Sequence, residues 1–295
     1  MTLTQLEIFA TVAELGGFTA AGDRLGISQS AVSHALKGLE KEWQVTLLSR
    51  SQAGIELTDI GRSLLIRVRE MLSVSEAIQQ EISAVRGLNH GVLRIGSFGP
   101  TSSLQLLPRI LEQYRKDYPG IDIYVEEGDD DNVAQWIHDR RVDVGFVVLP
   151  DHRFDTLPLV DDQFVALVPV NHPLASRKAV SLADLCNSPF IMTAAGSTSQ
   201  IEQLFASARL HPAIKHRYSQ VITIVKMVEK EEGVSIVADL ALPEQVMEMC
   251  PGVFKKPLIP AAIRSVGLAV RSKKHISPAV DAFLKVSTAV MKSLR

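Results

Sequence analysis

Hydroxyls, one amide and one imidazole crowd the stretch ISQSAVSHALKGLE, residues 27–40. Gln29 carries an amide that can bond adenine bidentately, and Ser28, Ser30, Ser33 and His34 can bond base edges or phosphate oxygens. Lys37 can reach a phosphate. Val32, Leu36 and Leu39 fall on one helical face, so the stretch reads equally as an ordinary amphipathic helix. A second hydroxyl-rich run, SFGPTSS at 97–103, follows a strand-like segment and opens a helix. Such a junction offers free N–H groups and hydroxyls to an anion. Ser97, Thr101 and Ser102 are its polar candidates, with Phe98 and Pro100 beside them. TAAGST at 193–198 is likewise rich in hydroxyls, with Thr193, Ser197 and Thr198. Serine and threonine also serve as plain caps and turn formers, and Phe98 serves a core equally well. Neither run contains Lys or Arg, so the expected ligand is a small anion held by dipoles, or a neutral polar metabolite.

Little else converges on chemistry. The eight histidines show no HxxxH or HExxH spacing, and no GxSxG or GxxxxGK[ST] occurs. EEGDDDN at 126–132 can attract a cation, but it reads more simply as a solvated turn and helix start. Cys186 and Cys250 have no CxxC partner and read as buried inert thiols. No metal, cofactor or catalytic residue is expected, and the chain is not read as an enzyme.

The elements that must position these groups change character along the chain. TQLEIFATVAELG places Leu6, Phe9 and Val12 at helical spacing, and Thr19 is a candidate cap for a second helix ending at Gly26. Ser28 caps a third helix, and residues 45–48 and 55–57 read as a β-hairpin. Thr58 caps a long helix over about 59–85. Its seam is Leu64, Val68, Met71, Ser75, Ile78, Ile82 and Val85, with spacings of four and three. That is a coiled-coil pattern and predicts a homodimer, against the plainer reading of a helix packed on its own domain. Beyond RGLNHG, strands such as VLRIGS, IDIYVEE and VDVGFVVL alternate with helical segments. The alternation restarts at FVALVPV, which implies two α/β lobes with a mostly parallel sheet.

A length of 295 residues suggests two or three domains, and 46% hydrophobic content suits real cores. The net charge of −2 advertises neither nucleic acid nor membrane. Through Thr58 the count is four cations (Arg24, Lys37, Lys41, Arg50) against six acids (Glu7, Glu14, Asp23, Glu40, Glu42, Glu56). Any DNA-binding face must therefore arise by arrangement. No signal peptide and no membrane span are read, and sparse cysteine fits a reducing cytoplasm.

Across residues 6–61 the resemblance is specific. Leu6, Phe9, Phe18, Thr19, Ala21, Ser28, Gln29, Val32, Ser33, Leu39, Glu40, Leu47, Arg50, Leu57, Thr58 and Gly61 stand in the pattern of the LysR-type transcriptional regulators, which the chain resembles. LRIGSF, VDVGFV and VPVNHPLA extend the likeness along the chain. Gly22 stands where the family usually has Ala, a loss of roughly 1 kcal/mol in helix propensity. Ser30 replaces a usual Pro, His34 a usual Arg or Gln, and Leu48 a usual Phe. The wing SQAG, with Gln52, lacks a frequent second basic residue and leaves Arg50 as its cation.

The resemblance implies an α/β chain with a winged helix–turn–helix at 1–58, which binds double-stranded DNA, and a dimerisation helix at 59–87. Residues 91–295 then form a periplasmic-binding-protein-like effector domain. Its first lobe takes 91–162 and 266–295, and its second 163–265. The effector cleft lies between the lobes, lined by 97–103 and by loops near 127–129, 147–150, 193–198 and 219–223, which adds Val147, Thr193, Ser197, Thr198 and Thr223 to the ligand set. A homotetramer and contact with RNA polymerase are further implications. Two alternatives stand beside it: a ligand-independent architectural DNA-binding protein, and a cleft enzyme.

Overall fold

The computed structural model describes residues 1–51, 54–85, 90–194 and 197–293. Gln52 lies outside the described residues. Three helices open the chain: α1 (Leu3–Leu15), α2 (Phe18–Leu25) and α3 (Gln29–Trp43). Leu6, Phe9, Leu36, Leu39 and Leu47 are buried together, and Val12, Ala21 and Val32 fill a satellite cluster. The expected cap at Thr19 shifts: α2 starts at Phe18 behind Gly17, with no side-chain cap. Phe18 packs against both clusters, which draws the helix start one residue earlier. The hairpin is β1 (Leu48–Ser51) with β2 (Gly54–Leu57), paired from Leu48↔Leu57. Its first strand starts three residues later than expected, because Leu47 is taken into the core.

Thr58 accepts from the Gly61 N–H and starts α4 (Asp59–Ala84). The expected seam divides in two. Val68 is 2% exposed in the core of the N-terminal domain, and Leu64 packs partly against the same core. Val68 is thus taken up by the domain core rather than left for a seam, while Leu64 is shared with that core. The free stripe begins later, at Met71, Val74, Ile78, Ile82 and Val85, all exposed. On another face Gln80 is buried and donates to the Val92 carbonyl at 3.0 Å, while its Oε1 accepts from the Ala279 N–H at 3.1 Å. This side chain ties α4 to the following domain.

That domain runs β3 (Gly91–Phe98), α5 (Leu107–Asp117), β4 (Ile121–Gly128), α6 (Asp130–His138), β5 (Val144–Leu149) and β6 (Asp155–Pro169). It continues through α7 (Leu182–Leu185), β7 (Pro189–Thr193), α8 (Thr198–Ser207), β8 (Ala213–Tyr218), α9 (Val221–Glu229) and β9 (Val234–Ala238). It ends with α10 (Glu244–Glu248), β10 (Val253–Pro257), β11 (Ile263–Val270) and α11 (Pro278–Ser293). A π-helical turn, Thr101–Leu106, joins β3 to α5.

The strands line up as β4-β3-β5-β11-β6-β9-β7-β8, with β10 on β6. The sheet is parallel only inside each lobe: β3 with β4 and β5, and β7 with β8 and β9. The expectation of a mostly parallel sheet is corrected at β6 and β11, which pair antiparallel with each other and with their neighbours. These two strands carry the chain from one lobe to the other and back, so they run in opposite senses. Two strands went unread in the sequence, β8 and β10, because KHRY and FKKP carry the charge and proline of sheet edges. One core gathers Ile95, Ile110, Phe146, Leu268 and Phe283, and the other Phe164, Phe190, Ile224 and Ile236. The change of core falls near Asp162 on β6 and Arg264 on β11.

Candidate DNA-reading face and effector cleft

Ser28 caps the start of α3 by accepting from the Ala31 N–H, and its hydroxyl lies 2.9 Å from that of Ser30. Burial of Val32, Leu36 and Leu39 turns the opposite face outward, where Ser28, Gln29, Ser30, His34 and Lys37 are exposed and Ser33 is half-buried. These six residues share the first turns and outer face of one helix. Arg50 pairs with Ile55 within the hairpin. Two of the six acids are placed away from this face. Glu7 and Glu14 line a groove between the N-terminal domain and the effector domain, away from α3's outer face. In that groove Arg140 pairs with Glu70 of α4 at 2.9 Å, and the Arg24 guanidinium lies over the Tyr124 ring.

The second site lies where the lobes meet. Phe98, Pro100, Thr101, Thr193 and Ser197 line one cavity there, together with Asp130, Val221 and Arg264. The remaining ligand candidates are placed elsewhere. Ser97 and Ser102 bond each other at 2.9 Å, and Ser102 also bonds the Phe98 N–H and carbonyl. Their hydroxyls secure the strand-to-helix junction. Val147 is core, Thr198 donates to the Thr193 carbonyl, and Thr223 stands outside the cavity wall. These five stand off the wall of the cavity or are engaged in holding the local structure.

The cleft is also not free of charge, as the loops alone suggested. Arg264, 6% exposed, enters from β11. Its Nε and Nη2 donate to Asp162 Oδ2 at 2.9 and 2.8 Å, Nη1 to Ser197 at 3.1 Å, and Nη2 to Thr101 at 2.8 Å. Phe164 and Phe98 lie 5.6 and 6.0 Å from the guanidinium carbon. Asp162 is held in turn by the Gln163 and Leu240 N–H groups on Oδ1. One side chain thus joins Thr101 of the first lobe to Ser197 of the second. Asp130, at the start of α6, is pushed up to about 6 by burial, against the opposing pull of Arg264. The cavity left is about 30 Å³, room for roughly two waters. Arg264 was missed because it sits on a strand. The available signal was a lone arginine opening the otherwise apolar run SVGLAV.

Residues 3–62 match the family model described as a bacterial regulatory helix-turn-helix protein, lysR family, and residues 86–292 match the LysR substrate binding domain. The chain belongs to the LysR family of transcriptional regulators. It is 34% identical over 290 residues to the uncharacterised HTH-type transcriptional regulator YvbU of Bacillus subtilis (strain 168), covering 97% of this chain and 98% of that one. A full-length OxyR from Pseudomonas aeruginosa, solved as a cysteine-to-aspartate variant, shares the fold at a TM-score of 0.78, over 99% of this chain and 95% of that one, at 23% identity. Full-length CbnR complexed with its target DNA shares it at 0.66, over 98% and 100%, at 22% identity. LysR regulators bind DNA and small-molecule effectors and form oligomers, and the matched families are regulators rather than enzymes. Among the described residues no helix is long and apolar enough to cross a membrane.

The LysR motif residues have visible duties. Glu40 accepts from the Leu47 and Leu48 N–H groups at 2.7 and 3.3 Å and so fixes the wing to the recognition helix. A Cβ at Gly61 would stand 2.1 Å from the Leu47 carbonyl oxygen, so only glycine fits. The same test explains the departure at Gly22, where a Cβ would meet the Ile27 carbonyl oxygen at 2.7 Å. The lost helix propensity is the cost of a closer turn between α2 and α3.

Proposed function

We propose that this LysR regulator works in the cytoplasm and reads its operator with Gln29, Ser30, Ser33 and His34. Ser28, Lys37, Arg50 and Gln52 attend to the backbone. The observation that carries this is the outward face of α3, where the polar residues cluster while the acids of α1 point into the interdomain groove. A gel shift against the DNA upstream of the protein's own coding region tests it. Gln29→Ala should lose about 1–3 kcal/mol and relax one base preference. Unchanged affinity and selectivity would remove Gln29 from the reading set.

Control comes from a small molecule seated between the lobes, at Thr101, Thr193, Ser197 and Arg264. Because the cavity is so small, the molecule must part the lobes to enter, and binding then shifts the arrangement of subunits. Met71, Ile78, Ile82 and Val85 supply the dimer seam, with a tetramer built on that dimer. The same small volume favours one other reading, an architectural protein without an effector. Its cleft should be apolar and dispensable, whereas this one holds a buried guanidinium and a second carboxylate.

A further inference from the structure

The charges in the cleft do not balance. Arg264 and Asp162 form a closed neutral pair, since Asp162 Oδ2 takes two guanidinium N–H groups and Oδ1 takes two backbone N–H groups. Asp130 lines the same cavity and makes no ion pair among the described residues. Burial makes its ionised form costly, and the cation that acts on it, Arg264, is already paired with Asp162, which leaves room for a further cation at that wall. At the other wall Arg264 turns Nη1 and the second N–H of Nη2 toward two neutral hydroxyls, one from each lobe. A carboxylate between them would accept from both Nη atoms, a charge-assisted pair stronger than the bonds it replaces. Thr101 and Ser197, now acceptors, would then donate their own protons to it.

We propose that the effector is a small zwitterion, an amino acid whose carboxylate docks on the Nη edge of Arg264 and whose ammonium faces Asp130. An anion alone would bring a second negative charge close to Asp130, whose ionised form burial already disfavours. An amine alone would leave the hydroxyl-capped edge of Arg264 unused. The zwitterion adds no net charge and answers both walls. Val221 and Val237 line the cavity beside it, an apolar wall suited to a short aliphatic side chain. The assignment rests on the interlobe cavity being the effector site.

Titration calorimetry on the full chain, at constant ionic strength, tests it with matched sets: glycine, acetate and methylamine; L-alanine, propionate and ethylamine; β-alanine and γ-aminobutyrate. At least one amino acid should bind, and its deaminated and decarboxylated counterparts should bind at least roughly tenfold more weakly. Asp130→Asn, with its fold checked by thermal melting, should erase the preference for the amino form. Thr101→Val should weaken carboxylate-bearing ligands of both kinds. The zwitterion is overturned if no amino acid binds, if simple carboxylates bind as tightly, or if Asp130→Asn keeps the preference. A carboxylate that binds alone and is lost in Thr101→Val defeats the zwitterion while the cavity stands as the site. An amino acid whose binding ignores both substitutions defeats the cavity itself.

Discussion

Arg264 and Asp162 are held by each other and by little that water could replace. Removing one partner strands the other. Arg264→Met should therefore destabilise the chain by about 3–5 kcal/mol in urea melts. Adding Asp162→Leu to that variant should recover part of the loss, because the orphaned carboxylate goes too. A double substitution no better than the single one would mean that the guanidinium's worth lies in Thr101, Ser197 and the two phenylalanines. Asp130 gives a pH signature of known sign. Its pKa rises from 3.8 to about 6 on folding, so the native chain holds the proton more tightly than the unfolded one. Stability falls as pH rises from 3.8 to about 6 and is flat above that. Asp130→Asn lacks that slope and should be more stable than the parent at pH 7, on the order of 1–2 kcal/mol given partial exposure. Melting curves at several pH values read this directly.

Among the elements, α4 is the most divided. Its early turns belong to the N-terminal core through Leu65 and Val68, and its late turns present Ile78 and Ile82 outward. Ile82→Glu should leave the melting temperature of the N-terminal domain intact while light scattering shows loss of the dimer. Val68→Ala should instead cost about 1–3 kcal/mol of stability with the assembly retained. The reverse pattern would put the seam back where the heptad spacing placed it. Heptad spacing showed which α4 positions are apolar but not what covers each one, since a helix stripe looks the same against its own domain or a second copy. Most elements were legible because their periodicity is local: the caps at Ser28 and Thr58, the run VDVGFVVL, the closing helix. The cleft's polar centre was not, because the Arg264–Asp162 pair joins residues 102 apart, and neither neighbourhood signals the other. Ser97 and Ser102 were ambiguous for the opposite reason. Their spacing suits an anion and a capped junction alike, and only the folded chain shows the junction taking both hydroxyls.

For the molecule as a whole, the effector domain is joined to the DNA-binding arm by specific contacts rather than by a loose tether. Gln80 bonds β3 and α11, and Arg140, just past the end of α6, grips Glu70 on α4. Since α6 begins at Asp130 in the cleft, one short helix has the interlobe cavity at one end and the contact with α4 just past the other. Glu70→Gln should leave DNA affinity of the unliganded protein nearly unchanged, since the pair is partly exposed, but should weaken the effector's influence on that affinity by a few-fold. Gel shifts with and without ligand measure both quantities, and an undiminished influence would exclude this contact from the coupling.

Arg264 sits on β11, one of the two strands shared by both lobes, so any turning of one lobe against the other must run through the strand that carries it. The machine is therefore loaded near its fulcrum. Displacement grows with distance from an axis, so on the proposed reading a guest of only a few heavy atoms, wedged there, would move the outer ends of the lobes further than its own width. A regulator built this way has no need of a bulky signal, and the modest size of its cavity is the short arm of a lever.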